Sequence, residues 1–450
     1  MFMNKQSILF AALFIAAFLT SHNIFASKQQ ISEASEFISV RNGLFYKGGS
    51  PLGKYVGANF WYGSILASEG QGGDRSRLLK ELDFLCSIGV RNLRVMVGSD
   101  GSPLTKRHTP KPNLVYPTLQ TSPGVYNDTI LAGLDYLMME MGRRGMTAVL
   151  YLNNSWEWSG GYGQYLEWAG AGKTPQPNIS GYDAYVNHVA QFASNRRAQK
   201  LFFDHVRYIV NRTNRYTGVA YKDDPTLMAW QICNEPRAFA AVNTKEQRRQ
   251  KIAFATWLSR ASRLIKRIDR NHLVTTGSEG LYGCDNDLDL FTEIHSDKNI
   301  DYICIHIWPY NWGWVTEEQL RREGADIDIS TAIKKTGEYI DEALGVASRL
   351  NKPVVIEEFG FPRDSFSSST SSTTNGRDKY YSYILGLVRN PSFPLLAGCN
   401  FWGWGGFAQP PHEQWKPYAP FTGDPAQEAQ GLNSVFAGDT STIEIIKGGK

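Results

Sequence analysis

The sequence lacks the features of several large classes of protein. Its 47 lysines and arginines nearly balance its 43 aspartates and glutamates, and the formal net charge is only +4. The basic residues are scattered among acidic ones, so we expect no nucleic-acid partner. Beyond the N-terminus no stretch approaches the run of about 20 apolar residues that a transmembrane helix requires.

Cysteine is scarce, with 5 residues in a chain of 450. Their spacing matches neither a zinc site nor a dense disulfide framework. Cys233, Cys304 and Cys399 lie in apolar, strand-like runs, where a free thiol packs as a small hydrophobic group. A single disulfide stays open as an alternative, but the odd number leaves at least one thiol outside it.

The first 26 residues have the pattern of a signal peptide. Lys5 supplies the positive charge, residues 8–19 form the apolar segment, and Ala26 ends a plausible cleavage context. We therefore expect export and cleavage, which would give a secreted or periplasmic chain with no membrane attachment. An uncleaved anchor is the alternative. Residues 27–450 are predicted to form one domain, because no linker or internal repeat divides them.

Apolar runs of strand length alternate with amphipathic stretches along this domain. The runs are almost continuously apolar, which is typical of parallel strands covered on both faces. Between the first two, Asp74 is placed to cap a helix that Gly89 ends. The predicted strands are Tyr55–Phe60, Val90–Val97, Thr147–Asn153, Leu227–Glu235, His272–Gly277, Asp301–Trp308, Pro353–Phe359 and Ala397–Trp404.

Eight strands that alternate with helices predict either a closed barrel or a large doubly wound sheet. No glycine-rich phosphate-binding turn follows the first strand, which disfavours a dinucleotide-binding fold. We therefore predict an α/β fold of the (β/α)₈ TIM-barrel type. In such a barrel the C-terminal ends of the strands meet at one mouth. Polar and aromatic residues stand at those ends: Trp61, Tyr62, Arg94, Asn153, Asn154, Asn234, Glu235, His306, Trp308, Glu358 and Trp402.

Two carboxylates at this mouth suggest the chemistry. Glu235 ends the fourth predicted strand and Glu358 the seventh, on roughly opposite sides of a barrel. Cleavage of a glycosidic bond needs one carboxyl to protonate the leaving oxygen and a second to face the developing oxocarbenium ion. The alternative is that both glutamates are structural ion-pair partners of Arg94 or Arg237. Their matching positions at two strand ends favour the catalytic interpretation.

A set of motifs along the chain resembles glycoside hydrolase family 5, in the retaining (β/α)₈ clan, and most closely its endo-β-1,4-mannanase subfamily. The motifs are Gly57-Ala-Asn-Phe-Trp-Tyr62, Arg91-Asn-Leu-Arg-Val-Met96, Asn234-Glu-Pro-Arg237, His306-Ile-Trp-Pro309, Asn311-Trp-Gly-Trp314, Glu357-Glu-Phe-Gly360, Asn400-Phe-Trp-Gly-Trp404 and Gln430-Gly-Leu432. The resemblance covers the whole mature chain.

The resemblance implies a role for each matching residue. Glu235 would be the acid/base and Glu358 the nucleophile, with Arg94 holding Glu358 ionised and lowering its pKa. Asn234 would bind the sugar 2-hydroxyl and Trp402 would lie under the sugar. Strand alternation would send Glu357 to the face opposite Glu358, although Glu357 could still support the residues that contact the substrate. The motif match, more than this geometry, assigns the nucleophile to Glu358. The remaining predicted substrate-binding residues are Trp61, Asn154, Trp156, His306 and Trp308.

Two departures from the family pattern stand out. The family commonly has a histidine near the end of the third strand, where this chain reads Tyr151-Leu-Asn-Asn-Ser-Trp156. The family often has His-x-Tyr after the sixth strand, whereas here Trp308 takes the place of the tyrosine. Tyr310 or another residue would then make the hydrogen bond to the nucleophile.

The interpretation as a whole is a secreted, monomeric, retaining endo-β-1,4-mannanase that acts on mannan, glucomannan or galactomannan. It implies a β-1,4-linked polysaccharide as partner, with no metal and no organic cofactor. An endo-β-1,4-glucanase of the same family is one alternative, because single changes at the mouth can alter sugar preference. A non-catalytic sugar-binding barrel is another, which the presence of both glutamates and Arg94 disfavours.

Overall fold

The computed structural model describes residues 36–104, 111, 113–239 and 244–448. The predicted signal peptide lies outside these residues and stays a prediction. Within them, no helix has the length and apolar character needed to cross a membrane.

Eight parallel strands form the centre of the protein and confirm the predicted TIM barrel. Their hydrogen-bonded order is β5-β4-β3-β2-β1-β8-β7-β6, so each strand pairs with its neighbour in the chain and β1 pairs with β8. The strands are β1 (Tyr55–Asn59), β2 (Asn92–Met96), β3 (Thr147–Tyr151), β4 (Leu227–Gln231), β5 (Leu273–Thr275), β6 (Ile303–Ile307), β7 (Val354–Phe359) and β8 (Leu396–Phe401).

The barrel closes between β5 and β6 through a few hydrogen bonds, some between backbone groups and some that involve side chains. The Asp301 N–H donates to the Val274 carbonyl at 2.8 Å. The Gly277 N–H donates to Cys304 Sγ at 3.1 Å. The Cys304 thiol therefore takes the place of a ladder carbonyl at this seam. All five cysteines are free, which excludes the disulfide alternative in this structure.

A helix follows each strand and packs on the outside of the barrel. As predicted, the Asp74 side chain caps the first helix by accepting the Arg77 N–H, and Gly89 follows its end with φ of +84°. A residue with a side chain is strained at that φ. A glycine at this position is therefore a strong sequence signal for the end of a helix. These eight helices are α1 (Arg75–Ser87), α2 (Asp128–Arg143), α3 (Arg196–Val210), α4 (Thr244–Ile268), α5 (Leu288–Ser296), α6 (Ser330–Leu350), α7 (Asn375–Arg389) and α8 (Thr440–Lys447). Shorter helices in the connecting segments are Gly63–Leu66, Gly161–Trp168, Pro177–Ser180, Tyr182–Val189 and Glu317–Glu323.

A small antiparallel sheet covers the N-terminal end of the barrel. Its strands are Ser39–Arg41, Leu44–Lys47 and Ser50–Pro51. Phe45 is 2% exposed and packs edge-on against Tyr302, at the start of β6, with ring centroids 5.5 Å apart. The sheet therefore closes the end of the barrel away from the mouth where the polar residues gather.

Candidate active site

A cavity of about 470 Å³ occupies the mouth formed by the C-terminal ends of the strands. Both predicted catalytic glutamates line it. Its other lining residues come from the segments after β3 to β6 and after β8: Trp156, Glu157, Trp158, Tyr182, Val186, Asn234, Arg237, Glu279, Tyr282, Trp308, Asn311, Trp312, Trp402, Pro425, Gln427 and Glu428.

Glu235 projects into the cavity from an unusual backbone conformation. Its φ is +48°, in the left-handed region that a non-glycine residue seldom adopts. Its N–H donates to the Gly277 carbonyl at 2.9 Å, and the Ser155 hydroxyl donates to its carbonyl. Such conformations persist where neighbouring bonds fix them, and they concentrate at functional sites.

The Glu235 carboxylate is held by neutral ring nitrogens. Trp156 Nε1 donates to Oε2 at 2.5 Å, and His306 Nδ1 lies 2.8 Å from Oε1. Burial raises the pKa of Glu235, while Arg237 lowers it by a smaller amount. The surroundings therefore favour a protonated carboxyl more than those of an exposed glutamate do.

The Glu358 carboxylate is bound by a cation. Arg94 Nη1 donates to Oε1, and Trp308 Nε1 donates to Oε2 at 3.2 Å. The sequence predicts that Arg94 sets the pKa of Glu358 below its usual range, and this prediction is wrong. Instead burial has the larger effect and raises that pKa, while Arg94 opposes the rise and the nearby Glu235 adds to it.

Arg94 is completely buried, and besides Glu358 of β7 the side chains at the ends of β1 and β4 hold its guanidinium. Nη1 donates to Asn59 Oδ1 at 3.0 Å, and Nη2 donates to Asn234 Oδ1 at 2.7 Å. Nε and Nη2 both donate to Gln231 Oε1, at 2.9 and 2.6 Å. These bonds fix the plane of the guanidinium, and with it the position of Glu358.

A β-bulge in β7 changes the side-chain alternation at Glu357. Ile356 pairs with Ile305 of β6, but Glu358 pairs with His306, so Glu357 is the extra residue. Bulges of this kind redirect side chains. Glu357 Oε2 consequently lies 3.6 Å from Arg94 Nε. The expectation that alternation separates Glu357 from Glu358 is therefore wrong, because both carboxylates face the same guanidinium.

His306 lies between the two candidate catalytic carboxylates. Its Nδ1 is 2.8 Å from Glu235 Oε1 and 3.3 Å from Glu358 Oε2. Burial, and next the charge of Arg94, lower the pKa of His306 well below its usual value, so the imidazole is neutral at neutral pH. One nitrogen and two carboxylates within 4.8 Å of one another are also a donor set for a divalent cation. The Arg94 cation on Glu358 would oppose such an ion.

The predicted aromatic residues divide between the cavity and the core. Trp156, Trp308 and Trp402 line the cavity, and Trp308 packs edge-on against Trp402 at 5.8 Å. Trp61 does not line it. Its ring is 1% exposed and its Nε1 donates to the Gly423 carbonyl at 2.9 Å, so it packs under the mouth. The periodicity of the sequence alone does not distinguish a tryptophan that lines the cavity from one that packs in the core.

The structure accounts for one of the two departures from the family pattern. Trp308 itself makes the hydrogen bond to Glu358, whereas Tyr310 packs against Phe366 at 4.8 Å. A Cβ at Gly360 would lie 2.5 Å from the Trp308 ring, so only glycine leaves room for this indole. After β3, Asn154 is fully buried behind the cavity, and its Oδ1 accepts from Asn234 Nδ2 at 3.1 Å.

Sequence reasoning missed several acidic residues of the cavity wall. Glu279 pairs with Arg237, which the sequence offered only as an alternative partner of the glutamates. Glu428 comes from the long segment after β8, and burial raises its pKa to about 8. Neither glutamate ends a predicted strand, so an inspection of the residues at strand ends does not identify them.

Comparison with known proteins matches the whole described domain. A family model described as "GH family 5 beta-mannosidase-like" matches residues 35–449. The mannan endo-1,4-beta-mannosidase 4 of Solanum lycopersicum is 31% identical over 281 residues, which are 60% of this chain and 62% of that protein. The mannan endo-1,4-beta-mannosidase 7 of Arabidopsis thaliana is 30% identical over 298 residues, 64% of this chain and 62% of that protein.

One solved structure gives a higher identity over a longer span than these two relatives do. The glycoside hydrolase family 5 mannosidase of Rhizomucor miehei superposes with a TM-score of 0.79 at 34% identity, covering 92% of this chain and 96% of that one. The endo-beta-1,4-mannanase of Thermotoga petrophila has a TM-score of 0.60 at 21% identity, over 88% and 76%, which supports the fold alone. The chain is therefore a glycoside hydrolase and belongs to the β-mannosidase-like group of family 5.

Proposed function

We propose that the chain is a retaining endo-β-1,4-mannanase, with Glu358 as nucleophile and Glu235 as acid/base. The observation that carries the proposal is that a carboxylate oxygen of Glu235 lies within 4.8 Å of one of Glu358. Retaining glycosidases place the two carboxyls about 5–5.5 Å apart, whereas inverting enzymes need about 6.5–9.5 Å to admit a water molecule.

In the first step Glu358 attacks the anomeric carbon of the mannosyl unit. A bond forms between a Glu358 oxygen and that carbon while the glycosidic bond breaks, and the Glu235 proton passes to the departing oxygen. Arg94 contacts Glu358 directly, whereas neutral N–H groups contact Glu235. When the pair holds a single proton, this difference places it on Glu235.

In the second step water releases the sugar. Esterification removes the charge of Glu358, so Glu235 can take a proton from water as the water oxygen attacks the anomeric carbon. The bond to Glu358 then breaks, and Glu235 regains the proton for the next cycle. Two inversions at the same carbon return the β configuration.

We infer a mannoside from the groups that are placed to contact the sugar. Asn234 is fixed by Arg94 on its oxygen and by Asn154 on its nitrogen, at the place where the resemblance puts the sugar 2-hydroxyl. That hydroxyl is axial in mannose and equatorial in glucose. A site built around one position leaves buried polar groups unpaired with the other epimer, which gives strong discrimination. Trp402 would supply the apolar platform beneath the ring.

A second candidate is an exo-acting β-mannosidase. It is favoured by the higher similarity to the Rhizomucor miehei mannosidase, at a TM-score of 0.79, than to the Thermotoga petrophila endo-mannanase, at 0.60. A variant of that Rhizomucor enzyme has also been solved in complex with mannosyl-fructose. An exo-acting enzyme needs a site that encloses one terminal sugar, and segments after five strands surround this cavity.

Polysaccharide digestion separates these candidates. On galactomannan, an endo-acting enzyme lowers viscosity early and releases mannobiose and mannotriose, whereas an exo-acting enzyme releases mannose with little loss of viscosity. Parallel digests of glucomannan, soluble cellulose derivative and xylan test the sugar preference, with Glu358→Ala as the inactive control. Faster cleavage of the cellulose derivative than of galactomannan would replace the mannanase by a glucanase, and binding without cleavage would support a sugar-binding barrel.

We further propose that residues 1–26 direct export and that the mature enzyme acts outside the cytosol as a monomer. Lys5 and the apolar segment that follows support this proposal. N-terminal sequencing of protein from the native host should give a chain that begins near Ser27. A mature protein that begins at Met1 in the cytosol would contradict it. Sedimentation analysis tests the monomer.

A further inference from the structure

Beneath the candidate nucleophile lies a second carboxylate to which the proposed reaction assigns no role. Glu357 is 1% exposed and sits on the bulge in β7. The Tyr302 hydroxyl donates to its Oε1 at 2.6 Å, and Gln231 Nε2 donates to its Oε2. Burial raises the pKa of Glu357, while the charge of Arg94 and these two hydrogen bonds oppose the rise. Since each oxygen accepts a hydrogen bond, the arrangement of donors suits an ionised carboxylate.

Gln231 links Glu357 to Arg94. Its amide nitrogen donates to Glu357, and its amide oxygen accepts from Arg94 Nε and Nη2. The contact with Glu357 therefore fixes which way the amide points, and the amide in turn fixes the guanidinium. Arg94 passes this constraint on to Glu358 through Nη1.

Glu357 and Glu358 also share one positive charge. Arg94 Nε is 3.6 Å from Glu357, and Nη1 bonds Glu358 directly. The other titratable groups that face Glu357 are Tyr302, Tyr55 and Cys304, which are neutral because burial raises their pKa values. A nucleophile that is the only carboxylate paired with a cation is less basic than one that shares the cation with a second carboxylate. It is less reactive for that reason.

We propose that Glu357 is a positioning residue for the glycosylation step: through Gln231 it orients Arg94 against Glu358, and by sharing the charge of Arg94 it keeps Glu358 a strong nucleophile. The inference rests on the proposed role of Glu358. It assigns Glu357 no contact with the substrate, because Glu357 does not line the cavity.

Two substitutions separate charge from orientation. Glu357→Gln keeps the shape and removes the charge, so Arg94 acts on Glu358 alone and the pKa of Glu358 falls. The acidic limb of the kcat/KM profile should then move to lower pH by about one unit, because Glu358 stays ionised further into acid. The kcat on an aryl β-mannoside should fall about tenfold. Glu357→Ala also frees the Gln231 amide, and kcat should fall about 100-fold with little change in KM.

Glu140→Gln is the matched control. Glu140 is a buried glutamate on α2 that pairs with Arg143 and Arg144, away from the cavity. This variant should lose thermal stability without any change in the pH profile or in kcat. If Glu357→Ala does not fold, Tyr302→Phe removes one hydrogen bond to Glu357 while keeping the ring, and should move the acidic limb in the same direction by less.

A titration without substrate keeps this inference distinct from the proposed activity. The carboxyl carbons of ¹³C-labelled glutamates, with Glu358 assigned from Glu358→Gln, should report a lower pKa for Glu358 in Glu357→Gln. A wild-type enzyme that cleaves no β-mannoside would defeat the proposed function and leave this readout intact. An unchanged Glu358 pKa, together with wild-type kcat in Glu357→Gln, would overturn the role of Glu357.

Discussion

The two sides of the cavity hold their carboxylates in different ways. On one side Arg94 bonds Glu358, and the guanidinium is itself held by Asn59, Gln231 and Asn234. On the other side, within the part of the chain that the structure describes, ring nitrogens alone make close polar contacts with the carboxylate of Glu235, and Arg237 is engaged by Glu279. Two carboxyls of the same residue type, both buried, thus acquire different affinities for a proton. This difference is the physical basis for the proposed roles of Glu358 as nucleophile and Glu235 as acid.

Removal of the nucleophile should have the largest effect. Glu358→Ala is expected to lose activity by on the order of 10⁴-fold or more, because no covalent intermediate can form. Azide, a small anion, should fill the space and give an α-mannosyl azide from an activated β-mannoside. Proton NMR of the product measures this outcome. A β-azide would mean that the two glutamates have the opposite roles.

Removal of the acid should have a smaller effect that depends on the substrate. Glu235→Ala is expected to slow polysaccharide hydrolysis about 10³-fold, because the leaving sugar needs a proton. A dinitrophenyl β-mannoside needs none, so its glycosylation rate should be largely preserved, and azide should accelerate turnover to a β-azide. Burst kinetics on the two substrates test this, and an equal loss on both would contradict the assignment.

Replacement of the cation should weaken the contrast between the two sides. Arg94→Lys keeps the positive charge but loses the planar guanidinium, whose N–H groups donate to Gln231, Asn234 and Glu358 together. The pKa of Glu358 should rise, so the acidic limb of kcat/KM should move to higher pH, opposite to Glu357→Gln, with activity about 100-fold lower. The pH profiles of the two variants, measured side by side, test the sign. A shift in the same direction would exclude charge sharing.

Loss of the indole donor to the nucleophile should have a moderate effect. Trp308→Phe removes the N–H that contacts Glu358 Oε2 at 3.2 Å. A hydrogen bond to a charged group contributes about 1.5–3 kcal/mol, so kcat/KM should fall roughly 10- to 100-fold, with the acidic limb moved to higher pH. Trp308→Tyr serves as the control and should recover part of the loss if its hydroxyl reaches Glu358.

The smallest effect is expected on the acid side. Trp156→Phe removes the N–H that stabilises ionised Glu235, so the pKa of Glu235 should rise. The basic limb of kcat/KM, where Glu235 loses its proton, should move to higher pH by less than about one unit. The acidic limb should stay in place. A displaced acidic limb would show that Trp156 acts on Glu358 as well.

The barrel and its two facing glutamates were predictable because they depend on local patterns. An apolar run ends at Glu235 and another at Glu358, and strand ends meet at one mouth in any such barrel. The cap at Asp74 is equally local, since its side chain bonds a backbone group three residues away.

Features that depend on pairing register were not predictable. The bulge at Glu357 arises from how β7 pairs with β6, and no residue in β7 marks it. Strand alternation therefore gave the wrong face for Glu357.

Contacts between segments that are far apart in the chain could not be predicted from the sequence either. Trp61 and Trp402 both follow apolar strands, but the Gly423 carbonyl binds the first indole while the second faces the cavity. The long segment after β8 supplies the Gly423 carbonyl and also brings Glu428 to the wall. Its position depends on packing across the whole mouth, which a single sequence does not encode in any local pattern.

The small sheet at residues 39–51 has a practical consequence for attaching the enzyme to a support. Since this sheet covers the N-terminal end of the barrel and Phe45 packs against Tyr302 there, the described chain starts at the end remote from the cavity. A tether joined ahead of Glu36 would leave the mouth facing outward, toward a substrate chain too large to diffuse into a crowded resin.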